Sequence, residues 1–131
     1  MKDWAGLPLR IALGTIFIFH GAQKAFGAFS GGGIEGFSQF LSSLGFAPAH
    51  LWAYAGAYIE LLGGILLIIG CLSRIVSAVL LVEMIIAAVT VHISKGFLVS
   101  GGGYEYIMLI IFSLLSLIFA GGGKLVLTKK L

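Results

Sequence analysis

Residues 9–26, Leu-Arg-Ile-Ala-Leu-Gly-Thr-Ile-Phe-Ile-Phe-His-Gly-Ala-Gln-Lys-Ala-Phe, constrain this chain more than any other stretch. They are apolar enough to enter a bilayer, yet they carry Arg10 near one end and His20, Gln23 and Lys24 near the other. An ionisable side chain at the centre of a membrane helix costs roughly 2.5–3.5 kcal/mol. Each of these groups therefore needs water, a partner or a ligand. At about 100° per residue, Arg10, Gly14, Phe17, His20, Gly21 and Lys24 fall within one third of the helix circumference. A helix with this polar, small-residue face must be covered by other helices.

The rest of the chain offers that cover. Only 10% of the 131 residues are charged and 60% are hydrophobic, against about 25% charged in soluble domains. Four long apolar runs predict an all-α integral membrane protein, an antiparallel four-helix transmembrane bundle forming a single membrane domain over 1–131. The spans are expected at about 7–26, 51–70, 75–93 and 104–120. Twenty residues rising about 1.5 Å each cross the ~30 Å hydrocarbon layer. Lys2 resembles the charged start of a signal peptide, but Arg10 interrupts the apolar run and no small-x-small cleavage pattern follows, so the first span is expected to be retained.

Between the first two spans, residues 34–44 set Ile34, Phe37, Phe40, Leu41 and Leu44 on one side and Glu35, Ser38, Gln39 and Ser42 on the other. That pattern is too short to cross and predicts a short interfacial helix. In the second span Ala53, Gly56, Ala57, Glu60, Gly63 and Gly64 share a face, and such small residues let helix backbones approach closely. The tight turn Cys71–Arg74 makes the third span antiparallel to the second.

With four spans, the N-terminus, the Cys71–Arg74 turn and the C-terminus share one side. That side holds Lys2, Arg10, Arg74, Lys124, Lys129 and Lys130; Lys24 and Lys95 lie on the other. The excess predicts a multi-pass protein of the cell inner (plasma) membrane with both termini cytoplasmic. The net charge of +3 is carried at helix ends and is no nucleic-acid signature. A lone Cys71 excludes an internal disulfide framework and CxxC chemistry.

Two depths collect the unusual residues. Glu60 and Glu83 fall near the midpoints of the second and third spans, with Arg10 long enough to reach toward them; Arg10 is expected to face away from lipid and be satisfied by Glu60, Glu83 or a backbone carbonyl. This intramembrane polar network reads either as a proton relay or ligand site, or as a polar clasp that fixes helix packing. Nearer the outer surface lie His20, Gln23, Lys24, His92, Tyr104 and Glu105. Lys24 can pair there with Glu105, and the donors of this cluster could hold the carbonyl oxygens of a quinone. The competing reading is an interfacial network extending to water. Regular helix geometry turns His92 away from the Glu83 face. Two histidines without cysteine ligands make a thin metal set, so no metal is expected and haem is disfavoured. No dinucleotide fingerprint, P-loop or nucleophile elbow is present, and the catalytic residues stay unassigned.

Several of these motifs occur together in one family. Leu9-Arg10 through Gly14, His20-Gly21-Ala22-Gln23-Lys24 with Phe26-Gly27, Glu60-Leu61-Leu62-Gly63-Gly64, Thr90-Val91-His92 with Gly96-Phe97, and Gly103-Tyr104-Glu105-Tyr106 resemble the DoxX family. The resemblance implies a small four-helix membrane protein. It falls on Arg10, His20, Gln23, Lys24, Glu60, His92, Tyr104 and Glu105, whereas Glu83 stands outside it. Namesake members resemble subunits of a membrane thiosulfate:quinone oxidoreductase, and others are linked to a superoxide dismutase and a rhodanese-type sulfurtransferase. The resemblance thus implies a redox subunit in sulfur-compound oxidation or oxidative-stress defence, with the bilayer, a soluble sulfurtransferase or superoxide dismutase, and a homo-oligomer or hetero-complex as partners. The alternative is a non-catalytic membrane anchor that recruits soluble redox enzymes.

Overall fold

Helix α1 (Gly6–Phe26) and helix α3 (Ala49–Ile69) form the most extensive helix pair of the chain, and glycines make it possible. A Cβ on Gly64 would lie 2.7 Å from the Gly14 carbonyl oxygen, and one on Gly21 would lie 2.5 Å from the Leu61 nitrogen. Only hydrogen fits at these crossings. The small-residue face expected on α3 is accordingly buried at Ala53, Ala57, Glu60, Gly63 and Gly64.

The computed structural model describes residues 4–128. Among them it contains five α-helices and no strand. A short α2 (Gly33–Ser43) packs over α1 and α3, and α4 (Ser73–Ala87) packs against α5 (Glu105–Ala120) and α3. Leu13, Phe17, Leu67, Leu80, Leu114 and Leu117 fill the common core. Two helical segments, Ala49–Ile69 and Ser73–Lys95, are long and apolar enough to cross a membrane. Outward-facing Leu62, Val82, Ile86, Leu109 and Phe112 give the helices an apolar exterior.

The helix ends explain how the site is placed. Gly70 closes α3 in the left-handed conformation (φ 72°), and the Cys71 N–H donates to the Leu66 carbonyl, so the chain reverses at once into α4. The α4 helix does not stay regular. Its last stretch widens to a π-helical turn over Ala88–His92 and then tightens to a 3-10 turn over Ile93–Lys95. The start of α1, the α3–α4 turn and the C-terminal segment lie at one end of the molecule, as the reversal pattern predicts. A Cβ on Gly6 would meet the Gly122 oxygen at 2.8 Å, and the Leu127 N–H donates to the Gly70 oxygen. Lys2, Lys129 and Lys130, which entered the charge count, lie outside the described residues.

Candidate functional site

Arg10 is buried to 1% exposure and does not join the two acids. Its Nε donates to the Leu67 oxygen at 2.8 Å, and Nη2 donates to the Ile68 and Leu125 oxygens at 2.8 and 3.0 Å. Nη1 donates to the Gly122 and Lys124 oxygens at 2.9 and 3.0 Å. A guanidinium has five N–H donors, and every one is used. Two of the acceptors are carbonyls of the last turn of α3, where backbone donors run short, although the Leu67 oxygen also accepts from the Gly70 N–H at 3.1 Å. The other three belong to the C-terminal segment. Gly70 admits the side chain, since a Cβ there would lie 2.7 Å from Nη2. Arg10 is thus a structural hub, and the sequence-level network of Arg10 with Glu60 and Glu83 separates into two places.

At the other end of α1 the register of the α1–α3 pair decides the chemistry. With Gly14 against Gly64 and Gly21 against Leu61, Lys24 arrives level with Glu60. The two supposed depths merge. Lys24 Nζ lies 2.6 Å from Glu60 Oε1, with the Lys24 side chain 29% exposed and that of Glu60 3% exposed. Lys24 therefore pairs with Glu60, and not with Glu105. Its ammonium also stands 4.8 Å from the centre of the Phe37 ring on α2, a cation–π distance. Glu60 Oε2 is buried with no hydrogen-bond partner.

Glu83 enters the same cluster from α4. A Cβ on Gly56, one turn before Glu60, would lie 3.1 Å from Glu83 Oε1 and 3.1 Å from the Phe37 ring. Glu83 Oε2 is likewise buried and unpartnered. Over the cluster, an open groove of about 310 Å³ runs between the end of α1 and α2, lined by Gln23, Lys24, Gly33, Gly36, Phe37 and Phe40 among others. That volume is at the lower end for small-molecule sites.

The remaining site candidates separate into two local networks. On α1, His20 Nδ1 is 3.1 Å from Gln23 Oε1, and Gln23 Nε2 donates to the Phe29 oxygen at 3.3 Å. This pair staples the loop after α1, and Phe29 stacks on Phe19 at 4.4 Å. Beyond α4, His92 Nδ1 donates to the Gly102 oxygen at 2.8 Å, and Glu105 Oε2 accepts from the Val99 N–H at 2.9 Å. Tyr104 meets Phe97 edge to face at 5.4 Å. His92, Tyr104 and Glu105 thus organise the loop that returns to α5, and no hydrogen bond among the described residues joins them to Lys24. The expected single cluster of His20, Gln23, Lys24, His92, Tyr104 and Glu105 is three: Lys24 with the two acids, His20 with Gln23, and His92, Tyr104 and Glu105 around the loop before α5. His92 ends a π-helical turn and stays away from the Glu83 face, as regular helix geometry implies, with its ring on the loop that follows. No group of three His, Cys, Asp or Glu among the described residues could hold a metal.

Sequence reasoning missed Phe37 and Gly56 as site members. The signal for Phe37 was its place on the apolar side of residues 34–44, which names a covering helix but not what it covers. Comparison with known proteins adds the family. The DoxX family model matches residues 5–93. The chain belongs to the DoxX family. It is also 36% identical over 104 residues to a protein of Bacillus subtilis (strain 168) named "Putative oxidoreductase CatD", an alignment covering 79% of this chain and 71% of that relative. No solved structure matches the chain significantly. The matched family region holds Arg10, His20, Gln23, Lys24, Glu60, Glu83 and His92, and Tyr104 and Glu105 lie beyond it.

Proposed function

We propose that this DoxX-family chain is a membrane subunit of a redox system, and that a quinone-like ligand occupies the groove over Lys24 and Phe37. The observation that carries the reading is the position of Lys24: it lines the groove on one side and holds the buried Glu60 carboxylate on the other. A quinone supplies two-electron, two-proton chemistry when bound. The protein's part is to offer an ammonium to a ligand oxygen, the Phe37 and Phe40 rings to a flat ring, and an apolar exterior through which a hydrophobic ligand arrives. The oxidoreductase name of the Bacillus relative supports a redox role. Sulfur-compound oxidation and oxidative-stress defence are the processes this reading favours, with a soluble sulfurtransferase or superoxide dismutase as the partner.

Titration of the purified protein in detergent with decylubiquinone tests the site. Lys24→Met and Phe37→Ala are expected to weaken binding about tenfold or more, equivalent to about 1.4 kcal/mol, while Glu105→Gln leaves it unchanged. Equal, weak binding by all four proteins replaces this reading with the anchor alternative.

The same proposal includes four membrane spans with both termini in the cytoplasm of the inner membrane. It is supported by the shared end of the α1 start, the α3–α4 turn and the C-terminal segment. Partly exposed Cys71, the single thiol, lies in that turn. An impermeant maleimide is expected to label it in inside-out vesicles; labelling of intact cells from outside inverts the topology.

A further inference from the structure

Beside the groove lies a cluster whose charges and hydrogen bonds do not close. Lys24 brings one positive charge, and Glu60 and Glu83 bring two carboxyl groups. Lys24 takes up Glu60 Oε1 at 2.6 Å. Glu60 Oε2 and Glu83 Oε2 are each buried without a partner, and the Glu60 side chain is only 3% exposed. A buried carboxylate oxygen without a donor is costly, and two carboxylates beside one ammonium leave a net negative charge in an apolar surrounding.

One proton removes both problems. It gives one carboxyl group an O–H donor for the other's free oxygen and brings the cluster to net neutrality. Glu83 Oε1 packs on Gly56, one helical turn from Glu60 on the same face of α3, so both carboxyl groups belong to one buried neighbourhood. Among the described residues no other charged group faces the pair. Facing Glu83, α1 offers Lys24, α3 offers Glu60, and α2 offers the uncharged Phe37. The acid of α2, Glu35, bonds His50 at 3.1 Å on the exposed surface. The face that α5 turns to α4 is the apolar row Ile107, Ile110, Leu114 and Leu117, and Arg10 is fully used at the far end of α1.

We propose that Glu60 and Glu83 hold one shared, exchangeable proton next to Lys24, and that Glu83 is a proton-exchange residue for the ligand in the adjoining groove. Glu83 does not line the groove, so the transfer runs through Lys24, which does: an ammonium N–H bond breaks as an O–H bond forms on the ligand oxygen, and a carboxyl O–H bond of the pair breaks as the Lys24 N–H bond re-forms. No electron moves with it. The cluster is left with two carboxylates around Lys24, and reloading reverses the step. This deepens the proposed ligand site and rests on that reading for its purpose, but the shared proton can be measured without any ligand.

The measurement is infrared spectroscopy of the purified, ligand-free protein at neutral pH. With five acidic side chains in the chain, the protonated-carboxyl band is assignable. Wild type is expected to show one such band that shifts on transfer to D2O. Glu83→Gln abolishes it, because the one carboxyl group left pairs with the one ammonium at 2.6 Å; Glu60→Gln shifts its frequency, because the partner sharing the proton is gone. Lys24→Met roughly doubles it, and Glu35→Gln, at the exposed surface, leaves it unchanged. Absence of the band in wild type, its persistence in Glu83→Gln, or its failure to shift in D2O overturns the proposal. Failure of decylubiquinone to bind overturns the ligand site instead, and the two failures are distinguishable. Glu83→Gln is the decisive variant should Glu60→Gln fold poorly, because Glu83 is less buried and it is Glu60 that forms the ion pair with Lys24.

Discussion

The two ends of α1 each carry a cation inside the protein, and they differ in how completely it is satisfied. At the Arg10 end, five donors meet five carbonyl oxygens, and no hydrogen-bonding capacity remains. At the Lys24 end, one donor meets one carboxylate, two carboxyl oxygens nearby have no partner, and the ammonium also lines an open groove. A saturated charge ties chain segments together. An unsaturated one keeps capacity for a ligand or a proton. The difference teaches that burial of a charge does not identify a functional residue; the leftover valence around it does.

Removing Arg10 breaks this comparison most severely. Arg10→Leu takes a donor from five carbonyls at one end of the molecule, only one of which, that of Leu67, keeps another among the described residues, the Gly70 N–H. Hydrogen bonds to charged groups are worth about 1.5–3 kcal/mol each, without adding fully. A loss of at least about 3 kcal/mol is expected, seen as collapse of folded yield and melting temperature in detergent. Arg10→Lys should rescue little, since an ammonium has three donors and no planar fork. Lys124→Leu, whose ammonium merely stands 5.4 Å from the Trp4 ring, should melt close to wild type.

The next largest effect belongs to the helix pair that sets the register. Gly64→Val places a branched side chain against the Gly14 oxygen and the Ile18 nitrogen, both backbone atoms that cannot step aside. Overpacking of this kind costs about 1–3 kcal/mol. Because the register also delivers Lys24 to Glu60, folded Gly64→Val protein should lose decylubiquinone binding as well as stability. Retained binding at wild-type affinity would separate the groove from the α1–α3 crossing.

Smaller effects sharpen the contrast at the Lys24 end. Lys24→Met strands a buried carboxylate that can still protonate, so a stability loss of about 1–2 kcal/mol is expected, well below that of Arg10→Leu. The double variant Lys24→Met with Glu60→Gln should recover part of it in a thermal-melt cycle. Glu105→Gln should cost the least, about 0.5 kcal/mol or less, because its amide oxygen can still accept from the Val99 N–H. A larger loss there would mean that the α4–α5 loop supports more than itself.

Much of this protein followed from local pattern. The apolar runs located the helices, the Gly and Ala positions on α3 marked a buried face, and Arg10 in an apolar stretch demanded a buried set of acceptors. These are consequences of helical periodicity and of the cost of burying charge, and both are written into neighbouring residues. Partner choice was not legible in this way. Lys24 could reach Glu60 or Glu105 by depth, and only the Gly14–Gly64 and Gly21–Leu61 contacts bring it to Glu60. Phe37 joined the site because α2 folds back over α1 and α3, and His92 stays outside it because its ring bonds the Gly102 oxygen of the loop that returns to α5. Arg10 chose backbone carbonyls over the acids because the C-terminal segment, more than a hundred residues away in sequence, returns to meet it. The sequence by itself determined which groups could not stay alone; the tertiary structure decided which groups they meet, because register and chain return are long-range contacts that no local pattern encodes.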